Sequence, residues 1–134
     1  MKTLNLAFLF CLFSVQASAM PPNERVSVAI RLVGDDGLSL KFGEALDRAV
    51  ARDDILRNSK DDVSAQLSIE SDENVRWDEL SGRVVIIYTI FFGSGRSDPI
   101  AGVCWENDIA KCARDIVRLA RIKAQDEFVR KPHN

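Results

Sequence analysis

The sequence predicts an α+β fold, a two-layer sandwich in which two helices cover one face of a three- or four-stranded mixed sheet. Apolar and polar residues alternate at 26–32 and at 63–69, a pattern typical of strands with one buried face. Residues 83–92 are the longest β-prone apolar run after residue 20 and predict a central strand. Two other stretches have the three- and four-residue spacing of amphipathic helices. The predicted order is β-α-β-β-(β)-α.

The chain begins with a segment that predicts a secretory signal peptide, residues 1–19. Lys2 is positively charged, residues 4–15 are almost all apolar, and Ala17-Ser18-Ala19 suits a signal peptidase. The apolar core has about a dozen residues, whereas a bilayer span needs roughly 20, so we expect cleavage and no membrane span in the mature chain. We therefore expect a periplasmic or secreted protein, with residues 20–134 forming a single small domain with flexible ends.

Charge and cysteine content narrow the possible functions. The chain has 18 Lys and Arg against 20 Asp and Glu, a net charge of −2. This acidic balance argues against nucleic-acid binding, which relies on a basic surface. After the signal peptide the cysteines are Cys104 and Cys112, which predict one disulfide in an oxidising compartment. Their spacing does not match a redox Cys-x-x-Cys pair, and His133 is the one histidine, so we expect no metal and no cofactor.

The first half of the predicted domain is a strand, a helix and a second strand. Turn residues 34–37 lead into a helix at about 40–54, with Ser39 as its N-cap. Gly43 inside this helix indicates a close approach to the sheet. The strand at 63–69 then returns parallel to the first through a right-handed crossover.

The second half is organised around the central strand. A polar link at 71–79 precedes it, and a turn leads to a short fourth strand at 100–104 that forms a hairpin with it. Asn107 or Asp108 caps a last helix that reaches about Phe128, and the disulfide would fix how this helix crosses the sheet. The order of elements resembles that of small α+β modules in bacterial envelope assembly proteins such as the amino-terminal domain of the TolB family. The resemblance concerns architecture alone.

The central strand is apolar on both faces, and the helices account for only one of them. Val85, Ile87 and Phe91 lie on the second face, where the neighbouring strands are polar. Either another part of the chain covers this face, or it is an interface for a homodimer or a protein partner. Trp77, in the polar link, is a further candidate interface residue, and we expect Trp105 to pack over the disulfide.

The last helix carries basic residues within one narrow arc, opposite its apolar face. This candidate basic stripe consists of Lys111, Arg114, Arg118 and Arg121. Such a stripe is typical of a solvated outer face near a helix C-terminus. The alternative is a docking surface for an acidic protein or for anionic lipid head groups.

No constellation of residues in the sequence indicates catalysis. A Ser-His-Asp or Cys-His arrangement needs a positioned imidazole, and His133 lies in a polar tail. A carboxylate-based hydrolase is a remote third possibility. We therefore expect a non-enzyme: a non-catalytic exported protein-binding module, an accessory factor of a cell-envelope complex. The alternative is an immunity or inhibitor protein that blocks a toxin or hydrolase.

Overall fold

The fold is an α+β sandwich, as the sequence predicts, with two helices and a mixed sheet of six strands. The computed structural model describes residues 24–59, 64–71, 75–92 and 97–129. The predicted signal peptide lies outside these ranges. The elements are β1 (Val26–Arg31), α1 (Gly37–Ala51), β2 (Leu56–Asn58), β3 (Leu67–Ser71), β4 (Arg76–Asp78), β5 (Arg83–Phe92), β6 (Ser97–Trp105), α2 (Ile109–Ala124) and a π-helical turn (Gln125–Val129).

Strand β5 is the centre of the sheet, because three strands pair with it. Val85 pairs with Arg76 of β4 on one side and with Trp105 of β6 on the other, so β4 and β6 lie on opposite edges of β5. Strand β3 occupies the same edge as β4, further along β5, and pairs with Tyr88. Beyond β3 lie β1 and β2, and β1 is parallel to both of its neighbours, as the crossover prediction requires for β3.

One face of the sheet forms the core with both helices. Its largest fully buried side chains from strands include Ile69, Ile86 and Ile90, and those from helices include Phe42, Leu46 and Ile116. Cys104 and Cys112 are joined as a disulfide with their Cα atoms 5.7 Å apart, which ties β6 to α2. The two-layer arrangement with both helices on one face is therefore confirmed.

The sheet has two strands that the sequence does not predict, and both are very short. Strand β2 aligns with β1 through backbone bonds from Val26 N to Ile55 O and from Ser59 N to Val28 O, each 2.8 Å. Strand β4 forms a hairpin with β5, and Gly82 closes its turn at a φ of +63°. Three residues are too few to show alternation, so hydrophobic periodicity misses such strands.

Helix α1 begins three residues before the predicted start, and Asp36 is its N-cap instead of Ser39. The Asp36 carboxylate accepts hydrogen bonds from the backbone N–H groups of Leu38 and Ser39, both at 2.9 Å, and from the Ser39 hydroxyl at 2.6 Å. These bonds lower the pKa of Asp36, the Ser39 hydroxyl most strongly. The predicted close approach at Gly43 is to Leu32, whose Cδ1 would lie 3.1 Å from an added Cβ.

Candidate functional site

The second face of the sheet is closed near β1 and opens towards β6. Ala29 on β1 is fully buried, and on β5 Val85 and Thr89 are 5% and 7% exposed. Ile87 and Phe91 are partly buried. Val85, Ile87 and Phe91 do lie on one face of β5, but they offer little surface of their own. The exposed apolar area on this face belongs to β6, where Val103 is 46% exposed.

A groove of about 280 Å³ lies on this face across β4, β5 and β6. We call it the sheet groove; its lining residues are Arg76, Trp77, Asp78, Val85, Ile87, Val103 and Trp105. The guanidinium carbon of Arg83 lies 5.8 Å from the centroid of the Trp105 ring, within reach of a cation–π contact. The sheet groove is mostly apolar, and Arg76 and Asp78 are the charged residues in its lining.

The two tryptophans occupy positions that the sequence does not predict. Cys104 pairs with Ile86 and Trp105 with Val85, so the two residues point to opposite faces and Trp105 does not pack over the disulfide. Trp77 belongs to β4 and pairs with Val84, so its side chain projects from the helix-bearing face of the sheet. With 64% of its surface exposed, it borders the sheet groove without sharing the face of Val85.

Strand β6 is an edge strand, and part of its backbone faces away from β5. The N–H of Glu106 donates to the carbonyl of Val84 at 3.0 Å, so Glu106 points its backbone groups at β5. Because these directions alternate along a strand, Ala101, Val103 and Trp105 point theirs outward. The Trp105 carbonyl accepts the N–H of Asp108 at 3.0 Å. Among the described strands, only β5 pairs with β6, so the other outward groups have no strand partner.

A second recess lies along the same edge, between β6 and α2. It measures about 270 Å³, and its lining includes Tyr88, Val103 and Lys111. The Tyr88 ring covers Gly102 so closely that no Cβ fits there. Burial, and secondarily the charge of Asp115, raises the pKa of Tyr88. The β6 edge is thus flanked by a recess on each face of the sheet.

The basic stripe lies on the surface of α2, but most of its charges are paired. Asp115 lies 2.9 Å from Lys111 and 3.4 Å from Arg118, and its pKa is lowered chiefly by the hydrogen bond from Lys111. Arg121 lies 2.7 Å from Asp54 and 3.4 Å from Asp53. Within the described residues Arg114 is the one member of the stripe without a close ion pair, and its charge contributes to lowering the pKa of Asp115.

A groove of about 290 Å³ separates α1 from α2 on the side away from the sheet. We call it the helix groove. Arg114, Arg118 and Arg121 line one wall, and Arg48 of α1 and Arg52, the C-cap of α1, line the other. Sequence reasoning missed Arg48 and Arg52. Their four-residue spacing is a detectable signal, but only the packing of the helices shows that they face the stripe.

The described residues contain no group of three or more His, Cys, Asp or Glu side chains placed to hold a metal ion. No helix among them is long and apolar enough to cross a membrane. The described residues therefore offer two grooves, a recess beside α2 and the β6 edge of the sheet, which suit recognition by hydrogen bonding, apolar contact and charge.

Comparison with known proteins finds similarity to solved structures. No protein-family model matches the chain, and no curated protein sequence matches it. Two solved structures of PelC dodecamers from Paraburkholderia phytofirmans are similar, both at 11% identity. The first, a point variant, has a TM-score of 0.36 over 69% of this chain and 79% of that one. The second has a TM-score of 0.32 over 73% and 84%. At this level of similarity neither structure bears on function.

Proposed function

We propose that this protein is an exported, non-catalytic protein-binding module, an accessory factor of a cell-envelope complex, which takes up an extended segment of a partner along β6. One observation carries the proposal: the backbone groups of Ala101 and Val103 point away from β5, and Val103 lines the mostly apolar sheet groove. An added strand gains affinity from main-chain hydrogen bonds and specificity from pockets for alternate side chains.

The chemistry of β6 favours strand addition. Exposed sheet edges are usually protected by charged side chains, proline or bulges. Here such features are confined to the first residues of the strand, where Asp98 has a φ of +48° and is followed by Pro99. Residues 100–105 carry no charge and pair regularly with β5 from Ile100 to Trp105. Along this half of the edge the Val103 carbonyl lies 3.8 Å from Sγ of Cys112, and the N–H groups of Ala101 and Val103 point away from β5.

The two recesses beside the edge would receive side chains of such a segment. Successive residues of a strand point to opposite faces. Alternate side chains of the partner would therefore enter the sheet groove, against Val103 and Trp105, and the recess beside α2. The predicted signal peptide and the disulfide geometry of Cys104 and Cys112 support an extracytoplasmic setting for this interaction.

Site-specific photo-crosslinking in the native cell tests the proposal. A photoreactive residue replaces exposed Ala101 on β6 or, as a matched control, exposed Ala51 at the end of α1. We expect a discrete adduct at 101 that is absent at 51 and is lost when Val103→Asp places a charge beside the groove. Equal adducts at both positions, or an adduct that survives Val103→Asp, would contradict the proposal.

The mass of the adduct identifies the occupant. An adduct at the mass of two copies of this chain means that β6 pairs with itself, and the partner is then a second copy instead of a different protein. Isolation of a toxin or hydrolase in the adduct would replace the accessory role with that of an immunity or inhibitor protein.

A further inference from the structure

The helix groove concentrates arginine on both of its walls. One wall has Arg48 of α1 and its C-cap residue Arg52, and the other has Arg114, Arg118 and Arg121 of α2. Asp53 is the one acidic residue in the lining. The rest of the lining is small and apolar: Ala45, Ala49, Ala110 and Val117. This combination is unusual for an acidic protein, because a solvated helix surface normally mixes charges of both signs.

Two of these arginines form no close ion pair within the described residues. Arg52 and Arg114 take part in none of the ion pairs among these residues. Arg48 lies 3.4 Å from Glu44, but both side chains are exposed, and exposed pairs of this kind hold their partners weakly. The guanidinium groups of Arg48, Arg52 and Arg114 are thus not held in a strong ion pair and can bind an added anion, although the charge of Arg114 also lowers the pKa of Asp115.

The ion pair of Arg121 with Asp53 shows how the groove holds a carboxylate. Arg121 lies 3.4 Å from the Asp53 carboxylate, which is 8% exposed. The other carboxylate oxygen accepts the backbone N–H groups of Ile55 at 2.8 Å and Leu56 at 3.0 Å. Asp53 is therefore committed to the turn after α1 and does not neutralise the unpaired arginines.

We propose that the helix groove is a binding site for an acidic peptide segment of a partner protein. Guanidinium groups on facing walls can bind carboxylates with two hydrogen bonds each, and the alanine and valine floor accommodates the apolar side chains between them. A groove between two helices is concave, which suits a peptide chain better than a flat membrane surface. The acidic balance of the whole chain disfavours a long polyanion such as nucleic acid.

This site is independent of the proposed function at β6. The helix groove lies on the outer side of the helices, and the sheet groove lies on the face of the sheet that the helices do not cover. A partner could occupy one groove, or the same partner could occupy both. Val103→Asp should therefore leave acidic-peptide binding unchanged, so the two proposals can fail separately.

Fluorescence anisotropy with the purified protein tests the site. The probe is a fluorescein-labelled peptide of alternating Glu and Leu, and its control is the matching peptide of Gln and Leu. We expect binding of the acidic peptide only, weakened roughly tenfold by Arg52→Gln or by Arg114→Gln, since a hydrogen bond to a charged group contributes about that much. Binding should weaken further as ionic strength rises from about 0.05 M to about 0.5 M.

The control variant is Lys41→Gln, which removes an exposed charge of the same sign from α1 outside the groove. It should change the affinity for the acidic peptide by no more than about twofold, because a charge outside the groove acts on the peptide only at a distance, where salt screens it. Equal loss in Lys41→Gln, equal binding of the neutral peptide, or no binding of the acidic peptide would overturn the proposal. Tighter binding of a labelled single-stranded DNA or of phosphatidylglycerol vesicles than of the acidic peptide would overturn it as well. Unfolding midpoints of all variants confirm that each is folded.

Discussion

The two faces of strands β5 and β6 differ in how much apolar surface they leave exposed. On the helix-bearing face, Ile86, Tyr88, Ile90 and Cys104 are all buried, and a disulfide joins that face to α2. On the second face, burial is nearly complete at Val85 but decreases across to β6, where Val103 is 46% exposed. This difference shows that the apolar second face of β5 is partly a consequence of its central position in the sheet. The surface available for binding lies one strand away, at the edge.

The largest expected effect is a difference in stability loss between substitutions at two neighbouring residues of β5 that point to opposite faces. Ile86→Ala leaves a cavity in the core and should lower the free energy of unfolding by about 2–5 kcal/mol. Ile87→Ala, on the partly exposed second face, should cost about 1 kcal/mol. Urea denaturation measures both. Equal losses would show that the second face is as much a core as the first.

The disulfide should give the next largest effect. Replacing both Cys104 and Cys112 with Ser opens a loop with a sequence separation of 8. Loop-closure entropy predicts a loss of about 2.5 kcal/mol, measured by urea denaturation. Thiol titration of the unreduced, denatured chain without residues 1–19 should find no free cysteine. Two reactive thiols would show that Cys104 and Cys112 are not joined and that no disulfide holds β6 to α2.

A glycine comparison tests how tightly the helix-bearing face is packed at β6. Gly102→Ala would drive a methyl group into the Tyr88 ring and should cost about 1–3 kcal/mol. Gly37→Ala at the start of α1 meets nothing within 4 Å and should be neutral or stabilise by up to about 1 kcal/mol. Thermal unfolding of the two variants gives the comparison. A harmless Gly102→Ala would mean that Tyr88 moves freely over β6.

The smallest effect concerns pH and the start of α1. The folded pKa of Asp36 is lowered below its usual 3.8, so its carboxylate stabilises the fold above the unfolded pKa and loses this contribution as pH falls. Asp36→Asn keeps an N-cap oxygen but cannot titrate. The difference in melting temperature between the two proteins should be widest at pH 7 and narrow as the pH falls below 3.8 towards the lowered folded pKa of Asp36. A difference that stays constant with pH would contradict the stabilising role of the ionised Asp36 carboxylate at the start of α1.

Sequence patterns predict the parts of this fold that are long and periodic. They give the alternation in β1 and β3, the two helical faces, the hairpin of β5 with β6 and the cysteine pairing at disulfide distance. They miss β2 and β4, which have three residues each and are held by neighbouring backbone groups. They also miss Asp36 as the N-cap, because Asp36 and Ser39 are both good capping residues and only the backbone path decides between them.

The binding surfaces depend on long-range register, which no local pattern contains. Val85, Ile87 and Phe91 were identified from alternation alone, and their role in an interface stays a prediction. That Val103 and Trp105 extend the same face follows only from the pairing of β5 with β6. In the same way, the basic stripe of α2 is visible in the sequence, but Arg48 and Arg52 join it only through helix packing.

Hydrogen exchange at individual amides of β6 tests the central claim most directly. In the dilute free protein, the N–H groups of Gly102 and Cys104 point at β5 and should exchange slowly, whereas those of Ala101 and Val103 point outward and should exchange much faster. Alternating fast and slow exchange from 101 to 104 would establish β6 as an edge open to a partner. Equal protection of all four amides at every dilution would contradict the account, because the edge would then already be covered within a single chain.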